Sequence, residues 1–125
     1  MEDVVDILIL EDEDEILKIF SKALKSKKIS FVRVKNGDEA LELLNEIKYK
    51  LIILDIFVPG IKGNMVFEKI RESIHHINFN TDVILIPGVI DRAVKDCASF
   101  DNPPMVLSKP FKVKKFLDVI CEKLK

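Results

Sequence analysis

The sequence predicts an α/β fold, a doubly wound five-stranded parallel sheet with flanking helices. Three observations carry this prediction. The apolar runs at 6–10, 51–54 and 82–86 are nearly uninterrupted, as in strands buried on both faces of a parallel sheet. Strand-like and helix-like segments alternate five times along the chain, the order that right-handed crossovers build into such a sheet. Acidic residues stand just past two of the strands, and an open parallel sheet places its ligand sites beyond the carboxyl ends of its strands.

Length and composition bound what the fold does. The 125 residues, 1–125, read as a single domain that buries about two thirds of its unfolded surface. With 20 basic and 21 acidic residues, nothing in the charge balance points to direct nucleic-acid binding. The apolar runs are far shorter than the about 20 residues a bilayer span needs, so no membrane association is expected. Glu2 and Asp3 stand where a secretion signal carries basic residues, which points to a cytoplasmic protein. Cys97 and Cys121 are too few and too far apart for a disulfide framework or a metal cluster, and read as reduced, mostly buried thiols.

The first strand, 6–10, runs into five consecutive acids, Glu11 to Glu15. Asp14 and Glu15 suit a helix N-terminus, with Asp14 as the cap, because Ile16, Phe20, Ala23 and Leu24 follow at helical spacing. Capping leaves Glu11 and Asp12 unexplained. The helix runs to about Ser26 with its lysines as a solvated face, and the run 30–34 is an outer, less buried strand. Asn36-Gly37-Asp38 turns the chain into a second helix with Ala40, Leu41, Leu43, Leu44 and Ile47 as its apolar face. The third strand, 51–54, is closed by Asp55, and Pro59-Gly60 with Gly63 forms a loop that lets the backbone pass close to a ligand. A third helix carries Met65, Val66, Phe67 and Ile70 and extends to about Ile74. His75-His76 lacks a carboxylate at ligand spacing, so two exposed histidines are expected there and not a metal site. The fourth strand, 82–86, ends in Pro87-Gly88, and a short helix over about 91–98 follows. The prolines of Phe100-Asp101-Asn102-Pro103-Pro104 make a rigid loop. Met105-Val106-Leu107 forms the fifth strand, and the last helix buries Val113, Phe116, Leu117, Ile120 and Leu124.

If strands one, three and five are neighbours, Glu11, Asp12, Asp55 and Lys109 emerge at one sheet edge. Three clustered carboxylates oppose one another's ionisation unless a cation neutralises them. An all-oxygen set with few protein ligands best suits magnesium. Asp55 is then able to act as a nucleophile toward phosphorus, with Lys109 as a point charge on a phosphoryl oxygen. The plainer alternatives are that Asp55 caps the next segment and that Lys109 makes a surface ion pair.

Taken together, Glu11-Asp12, Asp55 with Val58-Pro59-Gly60 and Gly63, and Ser108-Lys109-Pro110-Phe111 resemble the receiver domains of two-component response regulators over essentially the whole chain. The resemblance implies the flavodoxin-like strand order 2-1-3-4-5, with Asp55 as phosphoacceptor and Glu11, Asp12, Asp55 and the backbone carbonyl of Phe57 around Mg2+. It further implies that Lys109 contacts the phosphoryl group and that the Lys109–Pro110 bond is cis. The phosphoryl donor would be a histidine kinase or a histidine phosphotransfer protein. The output would be altered binding to another protein by a monomer or weak dimer, with no enzymatic turnover beyond self-phosphorylation and slow autodephosphorylation.

Two positions depart from the family's pattern. Pro87 stands where similar receivers carry Thr or Ser, although Gly88 keeps the small residue that follows, and Val106 stands where an aromatic residue is usual. Any phosphoryl-induced change is therefore expected to be small or to lie outside the fourth helix and fifth strand. Phe57 and Val89 hold positions that help orient the hydrolytic water in the family, and both are apolar, so a long-lived phosphoryl group is expected. Pro87 and Val106 also suit a pseudo-receiver that binds its partner constitutively. A phosphatase resembling the haloacid dehalogenases would need an acid two residues after Asp55, where Phe57 stands, and a nucleotide binder would need a Gly-rich loop after the first strand. The 100–104 loop borders a face that receivers use for output, so changing Phe100 or Asn102 is expected to disturb partner binding before folding.

Overall fold

The computed structural model describes residues 5–125; Glu2 and Asp3, which support the cytoplasmic expectation, lie outside them. The elements are β1 (Ile7–Leu10), α1 (Asp14–Ser26), β2 (Phe31–Val34), α2 (Gly37–Leu44), β3 (Leu51–Asp55), α3 (Gly63–Arg71), β4 (Asp82–Ile86), α4 (Arg92–Cys97), β5 (Met105–Val106) and α5 (Val113–Lys123). All strand pairs are parallel, in the order β2-β1-β3-β4-β5. This is the expected doubly wound sheet. β4 lies between β3 and β5, however, so the fifth strand is not a direct neighbour of the third.

The uninterrupted apolar runs explain the layering. Alternate residues of a strand face opposite sides, and here both sides are covered. Ile7, Ile9, Leu51, Ile53, Ile84 and Ile86 pack with Phe20 and Leu24 of α1 and Phe116 and Ile120 of α5. Leu8, Leu10, Ile52, Leu54, Val83 and Leu85 pack with Ala40, Leu44, Val66, Phe67, Ile70, Val94 and Cys97 from α2, α3 and α4. Phe20 and Phe116 stack at 4.3 Å between ring centroids.

Several boundaries differ from the sequence reading. Glu13, not Asp14, is the N-cap of α1 and makes no side-chain cap bond; Asp14 pairs with Arg33 instead. Asn36 is a true cap, accepting from the Glu39 N–H at 2.8 Å. α2 stops at Leu44, which leaves Ile47 beyond it and exposed. α3 stops at Arg71 rather than near Ile74, and the Arg71 guanidinium donates to the carbonyls of Asn78, Thr81 and Asn102 at 3.0, 2.6 and 3.0 Å. His76 belongs to the same region and is not a free surface imidazole. Its Nδ1 accepts from the Asn78 N–H at 3.0 Å, so its Nε2 donates to Asn45 Oδ1 at 2.8 Å. β5 is two residues long, and Val113 at the start of α5 is exposed. Phe100 is half-buried and meets Phe67 edge-on at 5.3 Å. It is a packing residue, so changing it also bears on folding. Cys97 is buried and Cys121 partly so. Burial, with Glu68 and Asp96 nearby, pushes the Cys97 thiol up to about 11. Among the described residues no helix is long and apolar enough to cross a membrane.

Candidate functional site

The register of the sheet builds the site. Leu10 of β1 stands opposite Leu54 of β3, so the first residues past β1 emerge level with Asp55 at the end of β3. Ligand oxygens of Glu11, Asp12 and Asp55 consequently lie within 4.8 Å of one another. Glu11 and Asp55 are buried, and Asp12 is partly exposed. Lys109 arrives from the loop after β5, past the intervening β4, and its Nζ sits 3.0 Å from Asp55 Oδ2. Its own N–H donates to the Pro87 carbonyl at 3.0 Å, which ties this loop to the end of β4. The Lys109–Pro110 peptide is cis, as the resemblance implied.

The charges respond to this crowding. Burial raises Glu11, the Glu13 N–H lowers it in part, and the charge of Asp55 raises it again, leaving its carboxyl at about 7. Burial acts to lower Lys109, but its hydrogen bond to Asp55 and the charges of Asp55, Glu11 and Glu13 outweigh that, so the ammonium is held above its ordinary range. Glu11 Oε2 accepts from the Glu13 N–H at 3.2 Å, while Oε1 is buried with no hydrogen-bond partner. A buried carboxylate oxygen without a donor is costly unless a cation completes it. The all-oxygen donor set and this orphaned oxygen both fit a hard divalent ion.

The loop after Asp55 is clamped from two sides. The Ile56 carbonyl accepts from the N–H groups of Val58 and Gly63, and the Pro59 carbonyl accepts from the Gly37 N–H. A Cβ on Gly37 would run into the Ile61 carbonyl, and one on Gly63 into the Asp55 carbonyl. Gly60 has φ +75°, a left-handed conformation that favours glycine, and a Cβ there would strike the Asp38 carboxylate. Phe57, whose backbone carbonyl was the expected fourth ligand, lies inside this clamped loop. Its ring is exposed beneath Lys62 Nζ at 5.1 Å.

The expected switch positions differ in their surroundings, and Pro87 follows Ile86, the register partner of Asp55. Pro87 is buried at the end of β4 and has neither hydroxyl nor N–H. A Cβ at Gly88 would meet no atom within 4 Å, so the protein's own packing does not require glycine there. Val106 is exposed on the edge strand, and Val89 is 66% exposed. Sequence reasoning missed Arg33, which donates to the Glu11 carbonyl, and Gly37 and Asp38, which hold the Asp55 loop. The only available signals were a basic residue in an apolar strand and a glycine opening a helix.

Comparison with known proteins agrees with this geometry. Residues 7–121 match the family model of the response regulator receiver domain. An uncharacterized transcriptional regulatory protein of Bacillus subtilis, YkoG, is 30% identical over 111 residues, 89% of this chain and 47% of that protein. The transcriptional regulatory protein SrrA of Staphylococcus aureus is 37% identical over 67 residues, 54% of this chain and 28% of that protein. The chain thus spans about half the length, or less, of these curated relatives. Among solved structures, a CheY-like receiver domain from Methanospirillum hungatei has a TM-score of 0.83 at 20% identity, covering 98% of this chain and 94% of its own. The receiver domain of a sensor histidine kinase from Pseudomonas aeruginosa, solved with a magnesium ion coordinated in its active-site cleft, has a TM-score of 0.80 at 19% identity and covers 98% of both chains. At those identities the two structures establish the fold alone. With the family model spanning nearly every element of the sheet and its helices, the chain belongs to the response regulator receiver domain family.

Proposed function

We propose that this protein is a phosphoacceptor signalling domain that takes a phosphoryl group onto Asp55 with the help of Mg2+ and changes its binding to a partner. The observation that carries this reading is the buried Asp55 carboxylate, held by Lys109 at 3.0 Å and faced by Glu11 and Asp12. Glu11, Asp12, Asp55 and the Phe57 carbonyl would hold the ion, which supplies charge neutralisation for the transferring phosphoryl group. The magnesium found in the Pseudomonas aeruginosa receiver domain supports that assignment by likeness.

Asp55 attacks phosphorus with one carboxylate oxygen as the bond from phosphorus to the donor nitrogen breaks, and the donor imidazole keeps the bonding electrons. Lys109 moves from the free carboxylate to an oxygen of the bound group and remains protonated throughout. The donor is a histidine kinase or a histidine phosphotransfer protein, and the output is protein binding by a monomer or weak dimer. Chemistry on the chain's own part is limited to self-phosphorylation and slow autodephosphorylation, in a cytoplasmic setting.

Pro87 favours a second reading, a constitutive binding module, because it offers the phosphoryl group no hydroxyl and no backbone donor. Intact mass after incubation with a small phosphoryl donor and magnesium, beside an Asp55→Asn control, separates the two. Gain of one phosphoryl group that the control lacks supports the phosphoacceptor. No gain, together with no magnesium binding, supports the constitutive module.

A further inference from the structure

Arg33 interrupts the edge strand Phe31-Val32-Arg33-Val34, yet its side chain is only 16% exposed. Nε donates to the Glu11 carbonyl at 2.7 Å, and a terminal nitrogen donates to Asp14 Oδ1 at 2.8 Å. One planar fork therefore grips both ends of the turn between β1 and α1, a geometry available to arginine and not to lysine. Inside that grip the Glu13 N–H holds Glu11 Oε2 and leaves Oε1 buried and unpartnered. Five successive acids offer several ways to surround a cation. Arg33, helped by Lys35 at 3.6 Å from Asp14, draws Asp14 away and leaves Glu11 and Asp12 with Asp55.

We propose that Arg33 is a positioning residue for the cation site, fixing the Glu11 carbonyl so that the Glu11 and Asp12 carboxylates are presented to Asp55. This deepens the proposed function and rests on magnesium binding at that cluster. The charge of Arg33 acts in the opposite sense, because a fixed cation repels a divalent ion, so charge alone would make its removal tighten binding. The sign of the change separates the two effects.

The test is magnesium affinity of the full chain by calorimetry for wild type, Arg33→Met and Arg33→Lys, with the Glu13 amide resonance as local reporter and urea stability measured in chelator. Arg33→Met is expected to bind magnesium about ten-fold more weakly or worse, as loss of an outer-shell partner does. Arg33→Lys weakens it too, because an ammonium does not span both acceptors, and the Glu13 amide shifts in both variants. Affinity in Arg33→Met equal to or tighter than wild type would overturn the proposal and leave the proposed function standing. Where Arg33→Met fails to fold, Arg33→Lys decides, and wild-type affinity in it has the same overturning force. Absence of magnesium binding by wild type would overturn both.

Discussion

Replacing Glu11 with Gln should stabilise the metal-free protein at high pH. Glu11 is 1% exposed, Oε1 has no donor, and its carboxyl stands at about 7 against an ordinary 4.5. At about 1.4 kcal/mol per pH unit, that interval makes ionisation of Glu11 cost the metal-free fold about 3 kcal/mol at pH 8. Between 4.5 and 7 the folded state keeps a proton that the unfolded chain has released, so this contribution removes stability as pH rises across that window and levels off above it. His76 runs the other way. Burial first, and then the charge of Arg71, lower its imidazole, so the unfolded chain takes up a proton that the folded one refuses, and stability is lost as pH falls below about 6.5. The wild-type profile mixes the two, whereas the difference between Glu11→Gln and wild type isolates Glu11. Urea denaturation in chelator should show the two proteins alike near pH 4.5 and the variant more stable by about 1–3 kcal/mol at pH 8. Saturating magnesium should reverse the order, because the wild type alone keeps the full ligand set and gains stability by mass action. A difference that does not change with pH, or a variant less stable at pH 8, would refute the account of Glu11 as an uncompensated buried carboxylate.

Gly37→Ala places a methyl group against the Ile61 carbonyl and should slow phosphorylation of Asp55 about ten-fold by displacing the loop, within the range that about 1 Å of misplacement costs; an unchanged rate of mass gain would show that α2 does not position the loop. Phe57 and Val89 are 58% and 66% exposed and carry no group able to orient water, so phosphorylated Asp55 should be long-lived and Phe57→Gln should shorten its life about ten-fold or more, measured as loss of phosphoryl mass in magnesium buffer. Rapid loss from the wild type would contradict this. Phe100→Ala should cost about 2–4 kcal/mol in urea denaturation through lost packing on Phe67, whereas Asn102→Ala, which keeps the carbonyl that Arg71 uses, should stay within about 0.5 kcal/mol; equal effects would place the loop's role at the surface. A phosphoryl mimic should shift amide signals most near Lys109 and Phe111 and least in α4 and β5, and a large shift of α4 and β5 would contradict the expectation drawn from Pro87 and Val106.

How much of this was legible in the sequence follows from where each constraint acts. β1, β3 and β4 were readable because both faces of each are covered, which leaves no polar position inside the run. Asp55, Glu11 and Asp12 were readable because residues just past a parallel strand have few packing duties, so acids there call for another explanation. The end of α3 was not readable. The His75 N–H turns to Ser73 Oγ just past it, and Arg71 anchors that end through carbonyls up to 31 residues away, which only the folded chain brings near. His76 was misjudged in part for the same reason, since Asn45 lies 31 residues away although Asn78 is close in sequence. Arg33 in a short edge strand looks like an ordinary solvent-facing residue until the adjoining acids are seen to turn back toward it.

The same contacts bear on how a signal would leave this site. Lys109 is bonded to Asp55 by its ammonium and to the Pro87 carbonyl by its N–H, so one residue joins Asp55 to the end of β4 without any hydroxyl. On the opposite side, the Pro59 carbonyl and the Ile61 N–H are held by α2 through Gly37 and Asp38, which resists movement of the loop after Asp55. A phosphoryl group on Asp55, as proposed, would take the Lys109 ammonium from its present carboxylate oxygen, and the Lys109 backbone continues through Pro110 to Phe111 on one side and through Ser108 to β5 on the other. Phe111 lies 6.1 Å from Phe20 of α1 and 5.9 Å from Phe116 of α5 between ring centroids. Phe111 thus links the Lys109 loop to an aromatic stack that joins α1 and α5. Val106 is exposed on the edge strand and lies outside that stack.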